Sequence, residues 1–257
     1  MKKYKNIAIS VIMVIAFICG ICNIDLSKYI DSTKAILNEI KTVSSSTSDK
    51  EEVELVKCVD GDTATFNING KNKKVRFLSI DTPESVHPYK EVEEYGKDAS
   101  EYTCNLLKNA STIELSYEEN MKNKDKYGRI LAWVWVDEEL VQEKLISIGY
   151  AEVKYVYAKY TYLDKLYKVQ DKAKKNKLGI WYDYEEKKYD NKTYTVNFKV
   201  SDNKMSVEVK EGNIVDMIDN PIKTGYVFDG WTYGGEPYDL SKGITKNITL
   251  KASFSKK

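Results

Sequence analysis

Three short segments hold residue types that could do chemistry together: Val59-Asp60-Gly61-Asp62-Thr63, Arg76-Phe77-Leu78-Ser79-Ile80-Asp81-Thr82-Pro83-Glu84, and Asp125-Lys126-Tyr127-Gly128-Arg129. Taken singly, each reads as a turn or a solvated loop. Taken together they read differently. Asp62, Asp81 and a nearby backbone carbonyl offer the hard oxygen donors that calcium accepts at loose geometry. Arg76 and Arg129 flank the same predicted strands, and a guanidinium keeps its charge at any working pH while matching phosphate oxygens two at a time. Glu84 remains as a spare carboxylate. A cation, two guanidinium clamps and a carboxylate able to activate a water are what hydrolysis of a phosphodiester requires.

What is scarce narrows the chemistry further. The chain of 257 residues has one histidine, His87, and four cysteines, of which Cys19 and Cys22 lie in an apolar N-terminal stretch. A zinc site of His and Cys ligands and a disulfide framework are thereby excluded, and catalysis falls to carboxylates, Arg, Lys and Tyr. Cys58 and Cys104, on a predicted strand and a predicted helix, read as free, partly buried thiols. The net charge is +1. Residues 51–189 carry 23 basic against 26 acidic side chains, so attraction of a polyanion has to come from local placement of Arg and Lys.

The elements that must position these residues follow from periodicity. Strand-like alternation covers 52–59, 62–68 and 73–80, with a turn at Asn69-Gly70. Ala99, Tyr102, Leu106, Leu107 and Ala110 recur at helical steps, strands follow at 112–117 and 130–136, a helix of about ten residues closes on Gly149, and a lysine-rich helix runs from about Tyr162 to Lys177. Three strands, a helix and two strands is the order of a five-stranded OB-fold barrel, here with three helices, over residues 51–185. One geometric difficulty attends this plan. At about 3.3 Å per residue, a straight strand puts Arg76 and Asp81 roughly 16 Å apart and on opposite faces. The site needs that strand to coil.

Outside the barrel, Met1–Lys5 holds three lysines and 7–22 is almost wholly apolar, so 1–24 reads as a signal peptide or membrane anchor. Residues 25–50 read as a stalk and linker. After about Asp190 the alternation of TYTVNFKV and MSVEVKEG, then a Gly- and aromatic-rich stretch, marks a second, separate β-rich unit over 190–257.

The barrel order and the three motifs together resemble the staphylococcal nuclease (thermonuclease) family from about Glu52 to Trp181, including Tyr95-Gly96, Tyr155-Val156-Tyr157 and Lys177-Leu178-Gly179-Ile180-Trp181. The resemblance implies an OB-fold endonuclease that needs Ca2+, cuts DNA and RNA with little sequence preference and leaves 3'-phosphate ends. Position by position it implies Asp62 and Asp81 as calcium carboxylates, with the backbone carbonyl of Thr82 beside them and Asp60 behind. It implies Glu84 as general base towards water and Arg76 and Arg129 as the phosphate-binding, catalytic arginines. Lys126, Tyr127 and Tyr155 match positions that contact phosphate or nucleotide, Tyr157 offers a face for a base, and Lys90 could reach nucleic acid from its loop. The tail, from Thr193 to Ser255, resembles the Listeria-Bacteroides type repeat of bacterial surface proteins, which implies a small β-grasp-like module without catalytic residues. Its Tyr226, Phe228, Trp231 and Tyr233 read as core.

The expectation is a monomeric, secreted or membrane-anchored extracellular enzyme acting on DNA and RNA, with a tail that spaces it or touches a cell-surface partner. Two other classes compete: a non-catalytic nuclease-like binding module, and an adhesin whose working part is the tail. The intact set Asp62, Asp81, Glu84, Arg76 and Arg129 argues against the first. A single repeat offers little avidity for the second.

Overall fold

The computed structural model describes residues 50–85 and 93–257. The expectations for the anchor at 1–24, for the stalk up to residue 49, and for Lys90 lie outside the described residues, as does His87 itself. Among the described residues no helix is long and apolar enough to cross a membrane.

The first part of the chain runs β1 (Glu51–Glu52), β2 (Glu54–Cys58), β3 (Thr63–Ile68), β4 (Lys71–Phe77), β5 (Ile80–Asp81), α1 (Gly96–Asn109), β6 (Ile113–Ser116), β7 (Ile130–Val136), β8 (Glu139–Leu140), α2 (Val141–Ser147), β9 (Glu152–Val153) and α3 (Leu163–Lys175). Asn69 and Gly70, both at positive φ, make the two-residue turn between β3 and β4, as the Asn-Gly pair predicts. The main sheet has the order β1-β6-β7-β4-β3-β2, with β8 beside β7. This differs from a closed five-stranded barrel. The expected first strand is divided at Val53, so that β1 pairs with β6 and β2 pairs with β3. The two ends of the sheet are thus adjacent pieces of chain, separated by a single residue whose N–H donates to the Ile113 carbonyl.

Phe66, Phe77, Leu115 and Trp133 fill the interior of this sheet, and α2 and α3 close it with Leu145, Ile146, Leu163 and Leu166. In α3, Leu163, Leu166, Gln170 and Ala173 recur at three- and four-residue steps and form the buried stripe. Of the six lysines expected to form a solvated face, Lys165, Lys168, Lys172, Lys175 and Lys177 are exposed, whereas Lys174 is half-buried with its Nζ 4.6 Å from the Trp181 ring and 5.3 Å from Tyr184. Two buried glutamines tie helices to strands. Gln142 bridges the backbone of Ala132 and Val134, and Gln170 accepts from Val153 N at 2.6 Å.

Cys58 and Cys104 form a disulfide, not the free thiols expected from the sequence. β2 ends where α1 crosses it, and the Thr103 hydroxyl donates to the Gly61 carbonyl at 2.7 Å in the adjacent turn. That crossing brings the next residue, Cys104, within bonding reach of Cys58.

The second unit holds β10 (Thr193–Val200), β11 (Asn203–Lys210), β12 (Tyr226–Tyr233), β13 (Glu236–Pro237) and β14 (Ile248–Lys256), in the order β11-β10-β14-β12-β13 with β10 and β14 parallel. The arrangement is consistent with the β-grasp-like module. Trp231 and Phe228 are core, with Phe198 4.7 Å from the Trp231 ring, whereas Tyr233 is exposed and Tyr226 half-buried. The unit is separate in its sheet but not in its packing, because one continuous apolar cluster runs from the first sheet into the second.

Candidate active site

The β2–β3 turn carries the first acidic group. Asp60 accepts from Asp62 N, Val59 N and Asp60 N both donate to the Thr63 carbonyl, and the buried Asp62 faces inward. Gly61 is required here, since a Cβ at that position would lie 2.7–2.9 Å from the Thr82 side chain. That close approach lets Thr82 donate both its backbone N–H (3.1 Å) and its hydroxyl (3.2 Å) to Asp62 Oδ2.

The coil that the sequence demands occurs at Leu78–Ser79. β4 ends at Phe77, Ser79 adopts φ +60°, and β5 turns away to pair with β9, with Asp81 opposite Glu152. Asp81 is thereby turned back towards Arg76. The Arg76 guanidinium, on β4, spans both carboxylates: Nη2 donates to Asp81 Oδ1 at 2.9 Å and Nη1 is ion-paired with Asp62 Oδ2. Burial pulls Arg76 below its ordinary pKa, Asp81 opposes that shift, and the charge of Arg129 adds to it.

Arg129 reaches the same side by register. Leu131 is the partner of Arg76 in the parallel β4–β7 ladder, Arg129 lies just before β7 and two residues ahead of Leu131, and its charge is felt at Arg76. Its side chain is held by Asp125, which accepts from Arg129 Nε (2.6 Å), Arg129 N (2.9 Å) and Tyr127 N (2.9 Å). The Tyr127 ring, largely exposed, lies 5.5 Å from that guanidinium and 5.1 Å from Lys126 Nζ. Tyr155 stands 5.6 Å from the Arg76 guanidinium, and Tyr157 is half-buried beside it. Glu84 sits where its backbone N–H donates to Glu93 Oε2 and its carbonyl accepts from Glu93 N. Burial raises the Asp60 carboxyl, Arg76 opposes this, and the Glu84 charge raises it further, so Glu84 acts within the same electrostatic field.

Asp62, Asp81, Thr82, Arg76 and Tyr155 thus form one cluster, with Lys126, Tyr127 and Arg129 on the adjoining loop. Sequence reasoning gave no role to Asp125 or to Lys154, whose Nζ bonds Asp81 Oδ2 at 3.0 Å and Glu152 Oε1 at 2.7 Å. Asp125 had a signal, a carboxylate four residues before an arginine. Lys154 had none for its contact with Asp81, which lies 73 residues away.

Residues 74–183 match the family model of staphylococcal nuclease homologues, and residues 194–253 match the Listeria-Bacteroides repeat domain. The thermonuclease of Staphylococcus hyicus is 36% identical over 141 residues, covering 55% of this chain and 82% of that protein. The thermonuclease of Staphylococcus intermedius is 39% identical over 138 residues, covering 53% and 80%. The chain belongs to the staphylococcal nuclease family. A further relative within reach of this family is the SPbeta prophage-derived endonuclease YokF of Bacillus subtilis (strain 168), 44% identical over 131 residues, of whose length the match spans only 44%.

The fit of a cation can be judged from the donors. Among the described residues there is no cluster of three or more His, Cys, Asp or Glu side chains placed to hold a metal. Two carboxylates do converge, because oxygens of Asp62 and Asp81 touch the same guanidinium. An all-oxygen pair of this kind, completed by a carbonyl and waters, suits a hard cation such as calcium and offers nothing to a soft one.

Proposed function

We propose that this staphylococcal nuclease family member is a calcium-dependent endonuclease that hydrolyses phosphodiester bonds in DNA and RNA with little sequence preference, leaving 3'-phosphate ends. The observation that supports this most is Arg76, held by Asp62 and Asp81 with the charge of Arg129 close enough to act on it. Asp62 and Asp81, with the Thr82 carbonyl, would hold the ion, and bound calcium supplies charge neutralisation at the scissile phosphate.

The chain's own groups do the rest. The Arg76 and Arg129 forks bind non-bridging phosphate oxygens and stabilise the charge that grows on them as the phosphorus becomes five-coordinate. Glu84 orients a water and accepts its proton as the water oxygen bonds to phosphorus and the bond from phosphorus to the 5'-oxygen breaks, that oxygen leaving as a hydroxyl with a proton from solvent. Asp125 fixes the Arg129 fork before substrate arrives, which reduces the ordering needed at the moment of reaction. Lys126, Tyr127, Tyr155 and Tyr157 contact the flanking phosphate and bases, and Lys90 belongs to the same proposed set of nucleic-acid contacts.

Placement outside the cell, secreted or held at the membrane by residues 1–24, belongs to the same proposal. The basic and apolar N-terminal sequence supports it, and so does the disulfide, which persists in oxidising surroundings. The deciding experiment is incubation of the purified full chain with single-stranded DNA and with RNA in millimolar calcium, with product ends mapped. Cleavage that stops with chelator supports the proposal. Intact substrate that is nevertheless bound would favour a nuclease-like binding module.

A further inference from the structure

The repeat module does more than follow the nuclease domain along the chain. It takes hold of residues 155–159, the segment that carries Tyr155 and Tyr157. Asp239, a buried carboxylate, accepts from Tyr155 N through Oδ2 at 3.0 Å and from Val156 N through Oδ1 at 2.9 Å. Leu240 N donates to the Val156 carbonyl at 2.6 Å, and Trp231 N donates to the Tyr157 carbonyl at 2.9 Å. Asn220 clasps the backbone of Lys159, accepting from its N–H at 2.9 Å and donating to its carbonyl at 2.7 Å. Gly230 allows this approach, since a Cβ there would lie 2.8 Å from the Tyr157 carbonyl oxygen.

The segment needs such support. Tyr155 is a non-glycine residue at φ +58°, a conformation that persists only where its surroundings hold it, yet its side chain is substantially exposed. The place of the ring, 5.6 Å from Arg76 and 5.7 Å from Lys154, thus depends in part on how the backbone beneath it is held. That backbone is held at its N–H by Asp239. The Asp239 carboxylate is itself oriented by Ser241, whose N–H and hydroxyl both donate to Oδ1 at 3.0 and 2.7 Å.

We infer that Asp239 is a positioning residue of the nuclease, and that the repeat module is thereby part of the substrate site. Through Tyr155 N it sets the ring that receives the nucleotide beside Arg76. This rests on the proposed nuclease reading of the site, and the experiment separates the two.

The full chain is compared with Asp239→Asn, Asp239→Ala, Tyr155→Ala and the double variant Asp239→Asn/Tyr155→Ala, using a single-stranded DNA oligonucleotide in calcium. Asp239→Asn keeps one oxygen acceptor and replaces the other with a donor. It is expected to raise KM about tenfold, the loss of one charge-assisted hydrogen bond, with kcat within about twofold. In the Tyr155→Ala background the same substitution is expected to leave KM unchanged, because the two act as one unit. Val209→Ala, in the module's core on β11 at the far edge of its sheet, is the stability control: it lowers the melting temperature and leaves KM alone. If Asp239→Asn and Asp239→Ala lower the melting temperature like Val209→Ala while KM stays at the wild-type value, the inference is overturned and the nuclease reading stands. Equal KM effects of Asp239→Asn with and without Tyr155 also overturn it. A wild-type chain that does not cleave overturns the nuclease reading instead, and the dissociation constant for the same oligonucleotide then decides: weaker binding by Asp239→Asn sustains the positioning role, and unchanged or absent binding ends it.

Discussion

Arg76 and Asp81 meet at 2.9 Å although they lie five positions apart along the chain. The contact exists because Ser79 turns the backbone at φ +60° and sends β5 to pair with β9 while β4 stays with β3 and β7. Asp62, from the preceding turn, reaches the same guanidinium. One buried cation thus holds together two anions that repel each other in its absence.

Substitution of Arg76 should therefore act on stability and catalysis at once. Breaking a buried ion pair from one side costs about 3–5 kcal/mol. Arg76→Ala is expected to lower the denaturation midpoint in chelator, with added calcium restoring part of the loss, and to lower kcat by about 10²–10³, the effect of deleting one donor to a developing charge. Glu84→Gln should lower kcat by about 10²–10⁴, the span of general-base catalysis. Denaturation curves with and without calcium, beside initial rates, check both.

Removal of the metal should leave a trace independent of cleavage. A ligand at a hundred times its dissociation constant stabilises the folded state by about 2.7 kcal/mol. Calcium is expected to raise the melting temperature of the full chain, and to raise it little in Asp62→Asn or Asp81→Asn. An equal rise in all three would show that the ion binds elsewhere.

Asp125→Ala should detach the Arg129 fork. Three donors converge on that carboxylate, two of them backbone N–H groups that shape the loop. The expected outcome is a loss of about 1–3 kcal/mol in stability and a fall in kcat/KM of about tenfold or more. Asp125→Asn, which can keep acceptor contacts at one oxygen, should recover most of the stability and only part of the rate.

Reduction of the disulfide should weaken the fold without touching the chemistry. Cys58 and Cys104 are 46 residues apart, and closing a loop of that size is worth about 4 kcal/mol in the chain-entropy account. The Cys58→Ala/Cys104→Ala variant is expected to unfold at lower denaturant concentration while kcat at low temperature stays near the wild-type value.

The sequence made the local parts legible and left the long-range ones hidden. Asn69-Gly70 specifies its hairpin, and the heptad-like spacing of Leu163, Leu166, Gln170 and Ala173 specifies which face of α3 is buried. The motif residues were found by type. One signal went unused: among 40 basic residues the chain has only two arginines, Arg76 and Arg129. What could not be read depends on partners far along the chain. Ser79 has no sequence mark of a left-handed residue, and Val53 has none of a strand break. Cys58 and Cys104 meet only because α1 crosses β2, and Asp239 finds Tyr155 across 84 residues.

The covalent ring between Cys58 and Cys104 encloses Asp60, Asp62, Arg76, Asp81, Thr82 and Glu84, whereas Arg129 and the repeat module lie outside it. An unfolded but still oxidised chain therefore keeps its acidic ligands at a raised effective concentration around one another. The disulfide thus ties every carboxylate of the proposed calcium site to one closed loop, while the second arginine and the repeat module depend on the fold alone to reach it.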